Sequence, residues 1–176
     1  MKRTLLIGVC VVFCASMAFA QNGSIGVFSD PTGSDCNFAD VGGLNQVYIW
    51  HLNTPGATAS EWMLDVTQVG WTHLGDLKDF ELVIGTSITG ASVSYEACLV
   101  GSFQLMTVNF FGSAADPCGL IGIVPAPSKT GVRSVDCNET SVFIPGGEGR
   151  VNPDTGCQCT TPVEETTWGS IKAQYN

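Results

Sequence analysis

Glycine, proline and their turn-forming neighbours interrupt this chain about every eight to twelve residues, and no long helical period survives before the final fifteen positions. That punctuation leaves room for short strands and little else. Strands are expected at Ser24–Ser29, Gln46–Leu52, Ser60–Thr67, Phe80–Gly85, Ala91–Val100, Phe103–Phe111, Leu120–Pro125, Gly131–Cys137 and Ser141–Ile144. Trp62, Leu64 and Val66 alternate with Glu61 and Asp65, so this strand is half-buried, whereas Val47 to Leu52 is apolar on both faces and suits a central position. Two sheets sharing the buried aromatics satisfy both patterns, which predicts an all-β, antiparallel two-sheet sandwich with a short C-terminal helix.

Two local turns are predicted. Asn53-Thr54-Pro55-Gly56 carries turn chemistry between two apolar runs. Gly101-Ser102 fits a two-residue hairpin turn that would set Val93 opposite Phe110, Tyr95 opposite Val108 and Ala97 opposite Met106. In that register the apolar sets of both arms share one side, as a half-buried pair requires.

The first twenty residues have their own logic. Lys2 and Arg3 precede a short apolar run from Leu5 to Phe13, and Ala18-Phe19-Ala20 supplies a small-x-small cleavage signal. Residues 1–20 therefore read as a signal peptide and Gln21 as the mature start. Val9 before Cys10 and Phe13 before Cys14 do not fit a lipid-attachment signal. Residues 21–161 form the expected sandwich and 162–176 a tail. Lys2 and Arg3 are two of seven basic residues, so the mature chain keeps five against sixteen acids, a formal net charge of −11. So few dispersed cations argue against nucleic-acid binding and against anionic membrane surfaces. No later apolar run is long enough to span a bilayer. The protein is expected to be exported, either extracellular or periplasmic.

Six cysteines follow the leader: Cys36, Cys98, Cys118, Cys137, Cys157 and Cys159. An even number in an exported chain implies disulfides, whereas zinc knuckles want C-x-x-C pairs and the only close pair here is Cys157-Gln158-Cys159. The expected pairing is Cys98 with Cys118, Cys137 with one of Cys157 or Cys159, and Cys36 with the other.

Catalytic residues are scarce. His51 lies inside an apolar strand. His73 could serve a hydrolase as base with Asp76 as its orienter, but no G-x-S-x-G elbow supplies a serine. The chain is read as no enzyme. Asp30, Asp35 and Asp40 are weak calcium candidates, with Asp76 and Asp79 a second set, because oxygen-rich turns suit that ion. No cofactor is otherwise expected. Trp71 is the one tryptophan expected at the surface, as a ligand platform. In the tail, Trp168, Ile171, Lys172 and Tyr175 fall on one face of a short helix and form the candidate partner-binding surface.

Residues Val47 to Phe111 resemble the secreted bacterial cohesin-like sandwich modules. The resemblance lies in a strand followed by Asn53-Thr54-Pro55-Gly56-Ala57, the strand around Trp62-Met63-Leu64, then Ala91-Ser92-Val93-Ser94-Tyr95 and Gln104-Leu105-Met106-Thr107-Val108-Asn109-Phe110. The six cysteines depart from the cohesin pattern. The chain is also similar to uncharacterised small secreted bacterial proteins that share a tail like Thr167-Trp168-Gly169-Ser170-Ile171-Lys172. The function expected is a non-catalytic exported binding or structural module, docked or sorted through its tail to a protein or surface partner. Its rivals are a carbohydrate- or calcium-dependent adhesion module and a small secreted hydrolase.

Overall fold

Side-chain alternation becomes ten strands, and the residues described by the computed structural model, 22–159, contain no helix. In chain order the strands are β1 (Ser24–Phe28), β2 (Asn37–Phe38), β3 (Gly43–Asp65), β4 (Thr72–Lys78), β5 (Val83–Thr86), β6 (Gly90–Gly112), β7 (Gly119–Val124), β8 (Arg133–Asp136), β9 (Ser141–Phe143) and β10 (Glu148–Val151). β3 and β6 organise the rest. They lie antiparallel from Gly43 opposite Gly112 to Trp62 opposite Ala91.

The free side of β3 is shared by three strands. β1 takes Tyr48–Leu52, β8 takes Ala57–Glu61, and β7 takes Met63–Asp65. The free side of β6 carries β4 at one end and β5 at the other. The smaller sheet, β2-β10-β7, is thus joined to the larger one where β3 ends. All these pairs are antiparallel except β2 with β10, which is parallel. One core fills the sandwich, with Ile25, Val47, Trp62 and Phe110 from the larger sheet meeting Ile121 and Val151 from the smaller. Each such buried side chain contributes about 1.5–3 kcal/mol by leaving water.

Both predicted turns are corrected. The chain does not reverse at Gly101-Ser102 or at Asn53–Gly56. Each segment lies within a 23-residue strand, and Thr54 pairs with Gly101. Val93 accordingly faces Ser60 and Val83, not Phe110. The turn formers serve β-bulges instead, with register shifts between His51 and Ala59 and left-handed backbone at Asn53, Glu96 and Gly101.

The cysteines form three disulfides, Cys36–Cys159, Cys98–Cys137 and Cys118–Cys157. The pairing of Cys98 with Cys118, and of Cys137 with the Cys157/Cys159 pair, is therefore corrected. Strand order explains it. Leu99 and Asp136 flank Ala57 on opposite sides of β3, which sets Cys98 and Cys137 to bridge over Gly56. Cys118 precedes β7, and its amide donates to the carbonyl of Asn152 at 3.2 Å, beside the segment that carries Cys157. The tail, with Trp168, Ile171, Lys172 and Tyr175, lies outside the described residues.

Candidate docking face

Sheet register brings five short segments into one outward face in the order β5-β6-β3-β8-β9. Residues paired directly across strands point to the same side. One row is therefore Ile84, Ser92, Glu61, Arg133 and Phe143. The parallel row is Leu82, Ser94, Ala59, Val135 and Ser141, with the Ser94 amide donating to the Leu82 carbonyl at 3.0 Å.

The composition of these rows shapes the surface. Side chains on the central strands β6 and β3 are mostly small, namely Ser92, Ser94 and Ala59. Those on the outer strands are large and open to solvent: Leu82 is 55% exposed, Ile84 68% and Phe143 62%. A groove of about 280 Å³ runs between them. Its charges are few. Glu61 is held by Lys129 Nζ at 3.2 Å, and the Ser92 hydroxyl donates to Glu61 Oε1 at 3.5 Å. The guanidinium carbon of Arg133 stands 4.9 Å from the Phe143 ring centroid. Chemically this is a partly apolar sheet face with little polar machinery, suited to covering by another polypeptide.

Sequence reasoning missed this face because it is assembled from residues 59–61, 82–84, 92–94, 133–135 and 141–143. One signal was available. Leu82-Val83-Ile84 is apolar on consecutive positions of a short strand, so a large apolar side chain had to point outward.

The predicted site residues lie elsewhere. Trp71 is corrected from exposed platform to core residue. It is only 6% exposed, packs against Phe38 and Phe110, and donates from Nε1 to Asp40 Oδ2 at 2.7 Å. Asp40 is buried and also accepts from the Gly42 and Ala115 amides and from Asn45 Nδ2, at 2.9, 2.9 and 3.0 Å. Burial opposes its ionisation, but these donors outweigh it and hold the carboxyl down at about 2. Asp30 accepts from the amides of Thr32, Ser34 and Asp35 and from the Thr32 hydroxyl. Asp35 Oδ1 accepts from Asn37, and Asp79 from Gln104. Both oxygens of Asp30 and of Asp40, and Oδ1 of Asp35, thus accept from donors of the protein. Among the described residues Cys118, Asp154 and Cys157 also gather ligand-type atoms, but the two cysteine sulfurs are joined in a disulfide.

His73 and Asp76 do meet, Nε2 to Oδ1 at 2.8 Å. A serine that the sequence did not single out joins them. Ser87 Oγ donates to Asp76 Oδ1 at 2.7 Å and its amide to Oδ2 at 2.9 Å. The order is serine, aspartate, histidine, whereas activation of a serine needs the imidazole between the other two. Ser87 is also 0% exposed. The second histidine, His51, is buried among Tyr95 and Phe103, with Nδ1 3.0 Å from the Tyr95 hydroxyl. Burial holds its imidazole down at about 4 and pushes the Tyr95 hydroxyl up.

No protein-family model and no curated protein matches the sequence. Solved structures do. A cohesin module from a Clostridium perfringens family 33 glycoside hydrolase superposes over 76% of this chain and 99% of its own, with TM-score 0.56 and 9% identity. The fold is cohesin-like. A non-cellulosomal cohesin from the archaeon Archaeoglobus fulgidus covers 74% of this chain and 91% of its own, with TM-score 0.49 and 16% identity. The cohesin of a type I cohesin–dockerin complex from Clostridium thermocellum covers 76% and 96%, with TM-score 0.49 and 8% identity. On this cohesin-like sandwich the groove lies on the outer face of the larger sheet. Among the described residues no helix is long and apolar enough to cross a membrane.

Proposed function

We propose that this chain is an exported, non-catalytic protein-binding module that engages its partner through the outer face of β5-β6-β3-β8-β9. The observation that carries the proposal is the groove itself, with Leu82 and Ile84 more than half exposed beside small central residues. Exposed large apolar side chains gathered on one sheet face lower the free energy most when another surface covers them. The cohesin-like fold supports a module of this kind. Export is supported by the signal-like sequence of residues 1–20 and by three disulfides, which persist in oxidising compartments. The serine–aspartate–histidine order supports a non-catalytic role, and the burial of Trp71 removes the aromatic platform on which a carbohydrate reading depended.

The test compares capture by the mature full-length chain and by its Ile84→Glu variant from the native secreted fraction. Ile84 is 68% exposed and stands outside the core cluster, so the variant is expected to fold. A protein held by the wild type and weakened about tenfold or more by Ile84→Glu supports the face, since central interface residues carry effects of that size. Equal capture by both chains would move the binding site elsewhere.

A further inference from the structure

The acceptor motif of N-linked glycosylation, Asn-x-Ser/Thr, occurs twice in this chain, at Asn22-Gly23-Ser24 and at Asn138-Glu139-Thr140. In sequence the two are alike, and the fold separates them. Asn22 is half-buried, Gly23 is buried, and Ser24 opens β1 opposite Leu52. A Cβ on Gly23 would lie 2.7 Å from the Leu52 carbonyl oxygen, so this motif is closed in against β3.

Asn138, Glu139 and Thr140 are all exposed, at the tip of the β8-β9 hairpin. The tip is a three-residue loop, Cys137-Asn138-Glu139. The Asp136 amide donates to the Thr140 carbonyl at 2.9 Å and the Glu139 amide to the Asp136 carbonyl at 3.1 Å. Glu139 takes the left-handed conformation (φ 64°) that such a loop requires at its last position. Asp136 Oδ1 accepts from the amides of Asn138 and Thr140, each at 2.8 Å. The turn is thus held by its own backbone and by Asp136, and Cys137 is fastened to Cys98. The two side chains that the motif needs take no part in this. Among the described residues neither the Asn138 carboxamide nor the Thr140 hydroxyl makes a hydrogen bond. A polar group added at such a loop tip displaces no packed side chain.

We propose that Asn138 is an N-glycosylation site, with its carboxamide nitrogen as acceptor and a saccharide carried on a lipid diphosphate as donor. The nitrogen attacks the anomeric carbon of the saccharide. A C–N bond forms as the C–O bond to the diphosphate breaks, the amide gives up one proton, and the lipid diphosphate leaves, with no change of oxidation state. Such transfer acts on exported chains, which the signal-like residues 1–20 and the three disulfides support here. The site needs nothing from the docking face, and either can fail alone.

The test is mass spectrometry of the mature full-length chain recovered from the native secreted fraction. Trypsin cuts after Arg133 and Arg150, so the peptide of residues 134–150 carries Asn138 and no other acceptor motif. After reduction and alkylation that peptide is expected to be heavier than its sequence by whole hexose or hexosamine residues, and to release sugar fragments on collision. Asn138→Gln and Thr140→Ala are each expected to remove the excess completely. Thr140→Ser is expected to retain it, and Asn22→Gln to leave it unchanged. Asn138 and Thr140 are exposed and outside the core cluster, and secretion without free thiols establishes that each variant is folded. A wild-type peptide 134–150 found at its plain mass overturns the inference. So does an excess that survives Asn138→Gln or Thr140→Ala, or one carried on Asn22 instead.

Discussion

At the residue scale, two buried ionisable groups make the protein's stability depend on acidity in separate windows. His51 is held at about 4 by burial, against 6.5 when free. The unfolded chain therefore binds a proton first as the solution acidifies. Stability is complete above about pH 6.5 and falls by about 3 kcal/mol as the pH drops to about 4, at 1.36 kcal/mol per unit of difference. Denaturant titrations from pH 8 to pH 4 check this, and a flat profile over that range would be inconsistent with a buried neutral imidazole. Asp40 works below that window. Its carboxyl is held at about 2 against the usual 3.8, so its contribution is present above pH 3.8 and is lost as the pH falls toward 2. Because it joins the loop before β3 to Trp71 and to Ala115 after β6, Asp40→Asn is expected to cost about 3 kcal/mol by leaving buried donors unmet. Equilibrium unfolding at neutral pH measures it, and a loss below about 1 kcal/mol would mean that the amide serves equally well.

At the element scale, the long strands show how a correct local reading led to a wrong topology. Buried apolar positions in β6 are odd-numbered at first (Ala91, Val93, Tyr95) and later chiefly even-numbered (Met106, Val108, Phe110), with Leu105 buried as well. A hairpin at Gly101-Ser102 requires that change of parity, and so does one bulged strand whose extra residue shifts the inward set. β3 shows the same change, from Val47, Ile49 and His51 to Ser60, Trp62 and Leu64. Periodicity thus located the buried faces but could not tell reversal from bulge, because that depends on β3 and β6 meeting across the sheet. The docking face was illegible for the same reason, since the register of five distant segments creates it. The cysteines were legible as disulfides from compartment and number, while their partners depended on which strands became neighbours. Gly56 records that outcome. It has φ +155°, and a Cβ there would lie 2.7 Å from Cys137 Sγ. Gly56→Ala is expected to destabilise the fold by about 2 kcal/mol or more through strain and collision with the Cys98–Cys137 bridge. Thermal unfolding of the oxidised variant tests this, and an unchanged midpoint would show that the bridge moves aside freely.

At the scale of the whole molecule, the disulfides and the sheet divide their tasks. Cys36–Cys159 closes a separation of 123 residues and the other two close 39 each. On loop-closure grounds these contribute about 5 and about 4 kcal/mol apiece, by restricting the unfolded chain. Two of the three converge on Cys157 and Cys159, so the end of the sandwich is fixed covalently just where the tail departs. The outer face of the larger sheet meanwhile carries Leu82, Ile84 and Phe143, each more than half exposed. We propose that this face receives a protein partner. Amide hydrogen exchange of the full mature chain, with and without the protein captured from the secreted fraction, tests it most directly. Slowed exchange is expected at residues 82–84, 92–94 and 133–135, with β1 and β4 unchanged. Slowed exchange confined to β1 and β4, with β5 and β8 exchanging as they do alone, would contradict it.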